Sequence, residues 1–529
     1  MIKNRILMLL LLLIFVLSGC NNDDSGDPLK AANPRNEVIY QVFVRSFADG
    51  DGDGIGDLPG LIDKLDYLEE LGVTALWLMP IFPSPTYHGY DVTDYYDINS
   101  DYGTLEDFQN LLKEAEERGI KIILDMVLNH TSDQHPWFKA ALEGDEQYRS
   151  YYVFHKDKPG GAGSWNQTIW HGSPGNYYCG YFSHTMPDLN MHNEEVHEEI
   201  FNICSFWIEM GVAGFRLDAA QHFYGYNEYQ DTMYDYYENI IFLQALKKHC
   251  LEINPDFYLI GEINEKTDTV IGEYFKGVHS PLDFPISNRI LGSSVGNSRG
   301  YVTNLLFTYE RYRKYNHQFI SAPFLTNHDQ DRIADMARGD VGKLKLAAEM
   351  LLTLPGSPII YYGEEIGMFG VKSNGEKSDG LEIWDETRRL PFKFGDDYDT
   401  SWFTDENFIS VVKNKAVLSA TAQMEDPNSL WNTYQKLIKL RTSYPALMYG
   451  NEITEYEGNN QSLQGFYRTY EYRNFSQKVL VLHNLSNNDL DMIPYSGKII
   501  YATDLDEFEN LEKIKARSTI IIELEEDNV

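Results

Sequence analysis

The stretch Gly211–His222, GVAGFRLDAAQH, carries the clearest chemistry in the chain. Phe215 and Leu217 alternate with Arg216 and Asp218, the period of a strand, so the guanidinium and the carboxylate share one face. A neighbouring cation keeps a carboxylate ionised in a dry site, as a nucleophilic or charge-stabilising Asp requires. The same pair serves equally as a structural ion pair near a strand end, so other acids must decide between the two uses. Three further strand-like runs end in candidates: Asp125 to His130, Glu262 after Gly261, and Asp329 after Asn327 and His328. A Glu held protonated beside ionised Asp partners is equipped to cleave glycosidic bonds. It supplies an acid for the leaving oxygen, a nucleophile for the anomeric carbon, and negative charge facing an oxocarbenium-like transition state. No metal is needed in that step.

The elements that must position these acids alternate strictly. Strands are expected at Val38–Phe47, Ala75–Met79, Ile120–Val127, the run carrying Arg216 and Asp218, Phe257–Ile263, Ser280–Phe284, Phe319–Thr326 and Pro358–Tyr362. Helical patterns fall between them, at Leu61–Leu71, Leu105–Arg118, Glu194–Met210, Glu238–Cys250 and Lys343–Leu354 among others. Eight such units predict an α/β fold, a (β/α)8 TIM barrel, whose working residues lie at the C-terminal strand ends. From Thr131 to about Asn190 the chain is rich in Gly, Tyr, Trp and His with little periodicity, which predicts an inserted subdomain after the third strand. Its aromatic residues Trp165, Trp170, Tyr177, Tyr178 and Tyr181 suit either a sugar cleft or the subdomain's own core. After Tyr449 short alternating strands such as Lys478–His483 and Thr519–Leu524 predict an antiparallel C-terminal β-sandwich. The expected division is 1–20 signal peptide, 21–35 tether, 36–130 with 191–449 barrel, 131–190 subdomain and 450–529 β domain.

Asp125–His130, Gly214–His222, Glu262 in its Leu-Ile-Gly-Glu run, and Phe324–Asp329 resemble the four ordered signature regions of the α-amylase family of glycoside hydrolases. Met186-Pro187-Asp188-Leu189-Asn190 resembles a further motif of that family. The resemblance implies that Asp218 is the nucleophile, Glu262 the general acid/base and Asp329 the transition-state stabiliser, with retention of anomeric configuration. It implies that Arg216, His130 and His328 hold the nucleophile and the hydroxyls of the cleaved sugar, that Tyr90 stacks on that sugar, and that Asp385 and Arg389 contact the next sugar on the non-reducing side. Gln221 stands where many starch-cleaving members carry Lys on the leaving-group side. Asp91 and the Met-Pro-Asp-Leu-Asn form are intermediate between oligosaccharide α-glucosidases of the oligo-1,6-glucosidase type and neopullulanase-like members. The implied function is endo-acting hydrolysis of α-1,4 links in starch, glycogen or maltooligosaccharides. An exo-acting α-glucosidase, a neopullulanase-type enzyme or a transglycosylase would keep the same acids, whereas a non-catalytic glucan-binding protein need not keep all three.

Asp49, Asp51, Asp53 and Asp57 alternate with glycines and Ile55, placing an oxygen ligand at every second residue, with the Ile55 carbonyl filling the gap. Hard cations want such oxygens, so the loop predicts a structural Ca2+ site, although Gly60 stands where an EF-hand needs Glu. The family resemblance implies a second calcium site at Asn129, Asp188 and the His222 carbonyl.

The 80 acidic against 44 basic residues give a formal charge of -36, which repels phosphate backbones and argues against nucleic acid as a partner while leaving a neutral polymer acceptable. Lys3 and Arg5 precede the apolar run Ile6–Leu17, and Leu17-Ser18-Gly19-Cys20 resembles a bacterial lipobox. That implies cleavage before Cys20, lipid attachment to it, and an exported protein tethered to a membrane by the lipid alone. The remaining Cys179, Cys204 and Cys250 have no metal spacing and are expected as free buried thiols.

Overall fold

The computed structural model describes residues 35–163, 166–224, 236–265, 267–296, 298–450, 452–505 and 511–525. The lipobox with Cys20, the tether up to residue 34, and Trp165 lie outside the described residues.

In the barrel and its insertion the strands, in chain order, are β1 (Ile39–Val42), β2 (Ala75–Leu78), β3 (Lys121–Met126), β4 (Phe154–His155), β5 (Trp170–Ser173), β6 (Asn176–Cys179), β7 (Gly214–Leu217), β8 (Tyr258–Gly261), β9 (Ser280–Pro281) and β10 (Ile359–Tyr361). Seven of them form one parallel, curled sheet in the order β10-β1-β2-β3-β7-β8-β9. The sheet closes through two single-residue parallel bridges, Leu282 to Ala322 and Phe324 to Ile359. The chain therefore folds as a (β/α)8 barrel, with its seventh stave, expected as the strand Phe319–Thr326, reduced to those two bridging residues. Pro323 lies between them and has no N–H to extend a ladder. The interior is filled from all round the sheet by Ile39, Trp77, Ile123, Ile260, Phe324 and their neighbours.

Local chemistry sets the element boundaries. Asp57 caps the helix Leu58–Asp63 by accepting from Gly60 N, and Lys64, at φ -104 and ψ 5, breaks the single helix expected over Leu61–Leu71 into two. Thr104 and Asp107 form a reciprocal capping box at the start of Leu105–Glu117. The helix Glu194–Met210 buries Val196, Ile200, Ile203, Cys204, Trp207 and Ile208 and stops at Gly211, whose φ of 117 suits a residue without Cβ. That stop aims the chain into β7.

The insertion holds helices Pro136–Glu143 and Glu146–Ser150 and a small antiparallel sheet in the order β4-β6-β5. Ile169, Trp170, Cys179 and Tyr181 form its core, an antiparallel bridge from His130 to Asp188 fastens it to the chain leaving β3, and one from Tyr152 to Leu189 ties it together internally. The C-terminal region is a five-stranded antiparallel sheet of Glu452–Glu455, Leu463–Tyr472, Phe475–Asn484, Gly497–Ala502 and Ser518–Leu524, faced by the two-stranded pair Leu490–Asp491 and Lys513–Ile514. Cys179, Cys204 and Cys250 are free and buried. Among the described residues no helix is long and apolar enough to cross a membrane.

Candidate active site

A cleft of about 800 Å³ opens at the C-terminal ends of the barrel strands, and Asp218, Glu262 and Asp329 all line it. Arg216, fully buried, lies beneath them on β7. One of its terminal nitrogens, Nη1, donates to Asp218 Oδ1 at 2.7 Å and to Asp125 Oδ1 at 2.7 Å. The other, Nη2, lies 2.9 Å from Glu262 Oε2. Three carboxyl groups from three adjacent strands thus meet one guanidinium.

Beyond β7 the backbone turns sharply. Ala219 adopts a left-handed φ of 47, a conformation that costs a non-glycine residue about 1 kcal/mol or more. The turn aims its N–H at Glu262 Oε2, 3.0 Å away. With that oxygen accepting from Ala219 and facing Arg216, the proton of a neutral Glu262 belongs on Oε1.

Asp125 is the hub of a second chain of contacts; the sequence marked it within a strand-end run without giving it a role, and did not mark Gln41 at all. Its Oδ2 accepts from Trp77 Nε1 at 3.0 Å and from Tyr90 Oη at 3.1 Å. Tyr90 Oη lies 2.7 Å from His328 Nε2, and Gln41 Nε2 lies 2.7 Å from His328 Nδ1. An amide nitrogen can only donate, so Nδ1 is the acceptor and the neutral ring carries its proton on Nε2. Donors then run in one direction, from Gln41 to His328 to Tyr90 to Asp125. The Tyr90 ring is stacked against His328, with planes 9° apart, and borders the cleft.

Asp329 is held from the other side. Arg389 Nη2 lies 3.0 Å from its Oδ1 and His328 Nε2 lies 3.2 Å from its Oδ2. Arg388 Nη1 bridges the Asp329 carbonyl at 2.7 Å and Asp385 Oδ1 at 2.8 Å, and Lys372 Nζ stands 3.7 Å from Asp385 Oδ2. Lys372 and Arg388 border the cleft and lie on a loop whose irregular sequence gave no signal of it.

The acids differ in proton affinity because their surroundings differ. Burial pushes Glu262 up to about 7; Arg216 pulls it down, while Asp218 and Asp329 push it up. Asp218 is also raised, burial outweighing the Arg216 guanidinium and Asp125 adding to the rise. The Arg216 guanidinium that steadies the Asp218 carboxylate is shared with Asp125 and Glu262, and burial works against it. For Asp329 burial also acts upward, but His328, Arg389, Arg216 and Arg388 together bring it down to about 2. Burial lowers His328 to about 3, so that ring is neutral near pH 7 with its Nε2–H directed at Tyr90 Oη, and the charge on Asp329 is balanced by arginine.

Other expected contacts fall differently. His130 borders the cleft, but its Nε2 lies 2.9 Å from the Tyr90 carbonyl and its Nδ1 3.3 Å from Asn129 Nδ2, so the ring braces Tyr90 from behind. Asp91 is buried away from the cleft and accepts from Ser84 Oγ at 2.6 Å and from Thr86 Oγ1; it shapes its loop and is corrected as a substrate contact. Gln221 borders the cleft with Nε2 3.0 Å from His222 Nε2, and the His222 ring lies 4.4 Å from that of Tyr181. Of the aromatic residues in the insertion, Trp170 is core, Tyr178 packs edge-on to Phe138, and Tyr181 both joins the core and borders the cleft.

In the Asp49–Asp57 loop, carboxylate oxygens of Asp49, Asp51 and Asp57 lie within 4.8 Å of one another, a donor set that fits a hard cation. Asp49 organises the turn by accepting from Gly52 N at 2.6 Å and Gly54 N at 2.7 Å. Asp53 stands outside that triad and accepts from Ile55 N at 2.7 Å. At the second expected calcium site the Asp188 carboxylate already accepts from protein donors. Asp188 Oδ1 accepts from Asn129 Nδ2 at 3.2 Å, and its Oδ2 accepts from Cys179 Sγ at 3.2 Å and Tyr181 N at 3.2 Å. Those three donors take three of the carboxylate's roughly four lone-pair sites, and burial raises the Asp188 carboxyl to about 7.

A (β/α)8 barrel with three acids around one guanidinium at its C-terminal mouth defines a glycosidase, and the chain belongs to the α-amylase family: residues 41–450 match the family description "Alpha amylase, catalytic domain". It is 44% identical over 459 residues to Alpha-amylase 3 of Dictyoglomus thermophilum, covering 85% of each chain. It is 32% identical over 551 residues to an oligo-1,6-glucosidase of Parageobacillus thermoglucosidasius, covering 91% of this chain and 97% of that one. Among solved structures, an α-amylase from H. orenii superposes with a TM-score of 0.80 at 37% identity, over 92% of this chain and 99% of the other.

Proposed function

We propose that this glycosidase is a retaining, endo-acting enzyme that hydrolyses α-1,4-glucosidic bonds of starch, glycogen or maltooligosaccharides. Glu262 Oε1–H protonates the glycosidic oxygen while Asp218 attacks the anomeric carbon, giving a glycosyl-enzyme ester and a free chain end. The Glu262 carboxylate left behind then removes a proton from water, which attacks the anomeric carbon from the vacated side, breaks its bond to Asp218 and restores both acids. Asp329, ionised throughout, faces the positive charge that develops on the sugar ring. Arg216 moderates Asp218, and Tyr90 supplies a flat surface for the same sugar.

The observation that carries this reading is the single Arg216 guanidinium spanning Asp218 at 2.7 Å and Glu262 at 2.9 Å. Such bridging brings the two carboxyls to one glycosidic bond; a retaining pair works at a separation of about 5–5.5 Å, against roughly 6.5–9.5 Å for an inverting pair that must admit a water. The endo assignment draws on the name of the amylase relative. The oligo-1,6-glucosidase relative favours a second reading, exo-acting release of short sugars by the same acids. Chromatography of early products from maltoheptaose and amylose separates them: scattered intermediate lengths support endo action, one fixed small product supports exo action, and no cleavage ends both.

We further propose that Asp49, Asp51 and Asp57, with the Ile55 carbonyl, hold a structural Ca2+. Cys20 is proposed to carry a lipid that tethers the exported protein to a bacterial membrane; mass spectrometry of the mature N-terminus tests it, and an unmodified start downstream of Cys20 would refute it.

A further inference from the structure

Trp384 stands one residue before Asp385 on the loop that borders the cleft, and its indole is 44% exposed, an unusual state for so large an aromatic group. The exposure is built into the loop. The Trp384 carbonyl accepts from Ser373 N at 2.8 Å, and its N–H donates to Glu386 Oε2 at 2.7 Å. Behind the ring sits Gly375, at φ +78, where a Cβ would come within 2.9 Å of an indole carbon, so only glycine lets the ring seat there. The short hairpin Glu376–Ser378 with Leu381–Ile383 carries both residues on its flanks. The Lys372 ammonium lies 5.9 Å from the indole centroid, and both Lys372 and Asp385 border the cleft. A backed aromatic surface with hydrogen-bonding charges beside it matches a pyranose ring, which offers an apolar C–H face and a rim of hydroxyls.

We propose that Trp384 is a sugar-binding platform at the rim of the cleft, taking a glucosyl unit of the bound glucan beyond the one that reaches Asp385, with Lys372 meeting its hydroxyls. The site extends the hydrolase reading above and rests on its choice of a glucan as the occupant. It makes the protein favour longer chains, because a short oligosaccharide ends before the indole.

Calorimetric titration of maltotriose and maltoheptaose into the Glu262→Gln protein, with and without Trp384→Ala, tests it. The expected result is a rise of about three- to tenfold in Kd for maltoheptaose, no change beyond about twofold for maltotriose, and recovery of most of the loss in Trp384→Phe. Unchanged affinity for maltoheptaose would overturn the proposal. So would an equal loss on both sugars, which marks Trp384 as a support for Asp385 alone. Turnover by the protein with Glu262 intact is scored separately: absence of any cleavage ends the hydrolase reading, while a length-dependent loss of binding still establishes the platform.

Discussion

Gln41 Nε2 lies 2.7 Å from His328 Nδ1, and this one contact decides which nitrogen of a buried, neutral imidazole carries the proton. Because Nδ1 must accept, Nε2–H faces Tyr90 and Asp329, two groups that border the cleft.

Replacing Gln41 by Leu removes that constraint and leaves a buried ring nitrogen without its donor, at about 1–3 kcal/mol. The expected outcome is a fall in kcat/KM of about tenfold or more on maltoheptaose, with the far-ultraviolet circular dichroism spectrum unchanged. Unchanged kinetics would show that the tautomer is set elsewhere.

The alkaline side of the activity profile follows from Glu262, which must be protonated to act as an acid and whose affinity for that proton is raised by burial to about 7. Activity in kcat/KM is expected to decline as pH rises through about 7. A 2-chloro-4-nitrophenyl maltooligosaccharide, whose leaving group needs little protonation, should show a much weaker decline. Equal declines on both substrates would contradict the assignment of the limb to Glu262.

Stability should carry a separate pH signature from Glu364, which is raised to about 8, burial outweighing its hydrogen bonds from Thr326. A carboxyl whose folded pKa exceeds its unfolded value holds its proton longer when folded. Its contribution is complete below about pH 4.5 and declines as pH rises towards and through about 8. Glu364→Gln, which cannot ionise, should flatten the drop in melting temperature between pH 6 and pH 8.5; an unchanged drop would exclude Glu364 as its source.

Chelation tests the aspartate loop. EDTA is expected to lower the melting temperature by several degrees, added Ca2+ to restore it, and Asp49→Asn to abolish the difference. A chelator effect that survives Asp49→Asn would place the ion elsewhere.

Much of this arrangement was legible from strand periodicity. Asp218 and Glu262 directly follow β7 and β8, Asp329 lies beyond the single bridge at Phe324, and all three border the cleft; their separate roles were legible only through the resemblance to the α-amylase family. The seventh stave was overread because Phe319–Thr326 has a strand's composition, whereas Pro323 limits its pairing to single bridges. Gln41 was missed because a lone polar residue in an apolar strand reads as a packing detail until its partner, hundreds of positions away, is in place. Asp91 was misassigned because sequence shows which groups could bind a ligand and not which are already satisfied, here by Ser84 and Thr86. Lys372, Arg388 and Trp384 sit on an irregular loop, where no periodicity links position to direction.

The most direct test of the double-displacement reading is to locate the covalent intermediate. The Glu262→Gln protein, treated with an α-maltooligosyl fluoride that needs no acid to depart, should accumulate a glycosyl ester, and peptide mass spectrometry should place it on Asp218. An adduct on any other carboxylate, or consumption of the fluoride with inverted product and no adduct, would contradict the account.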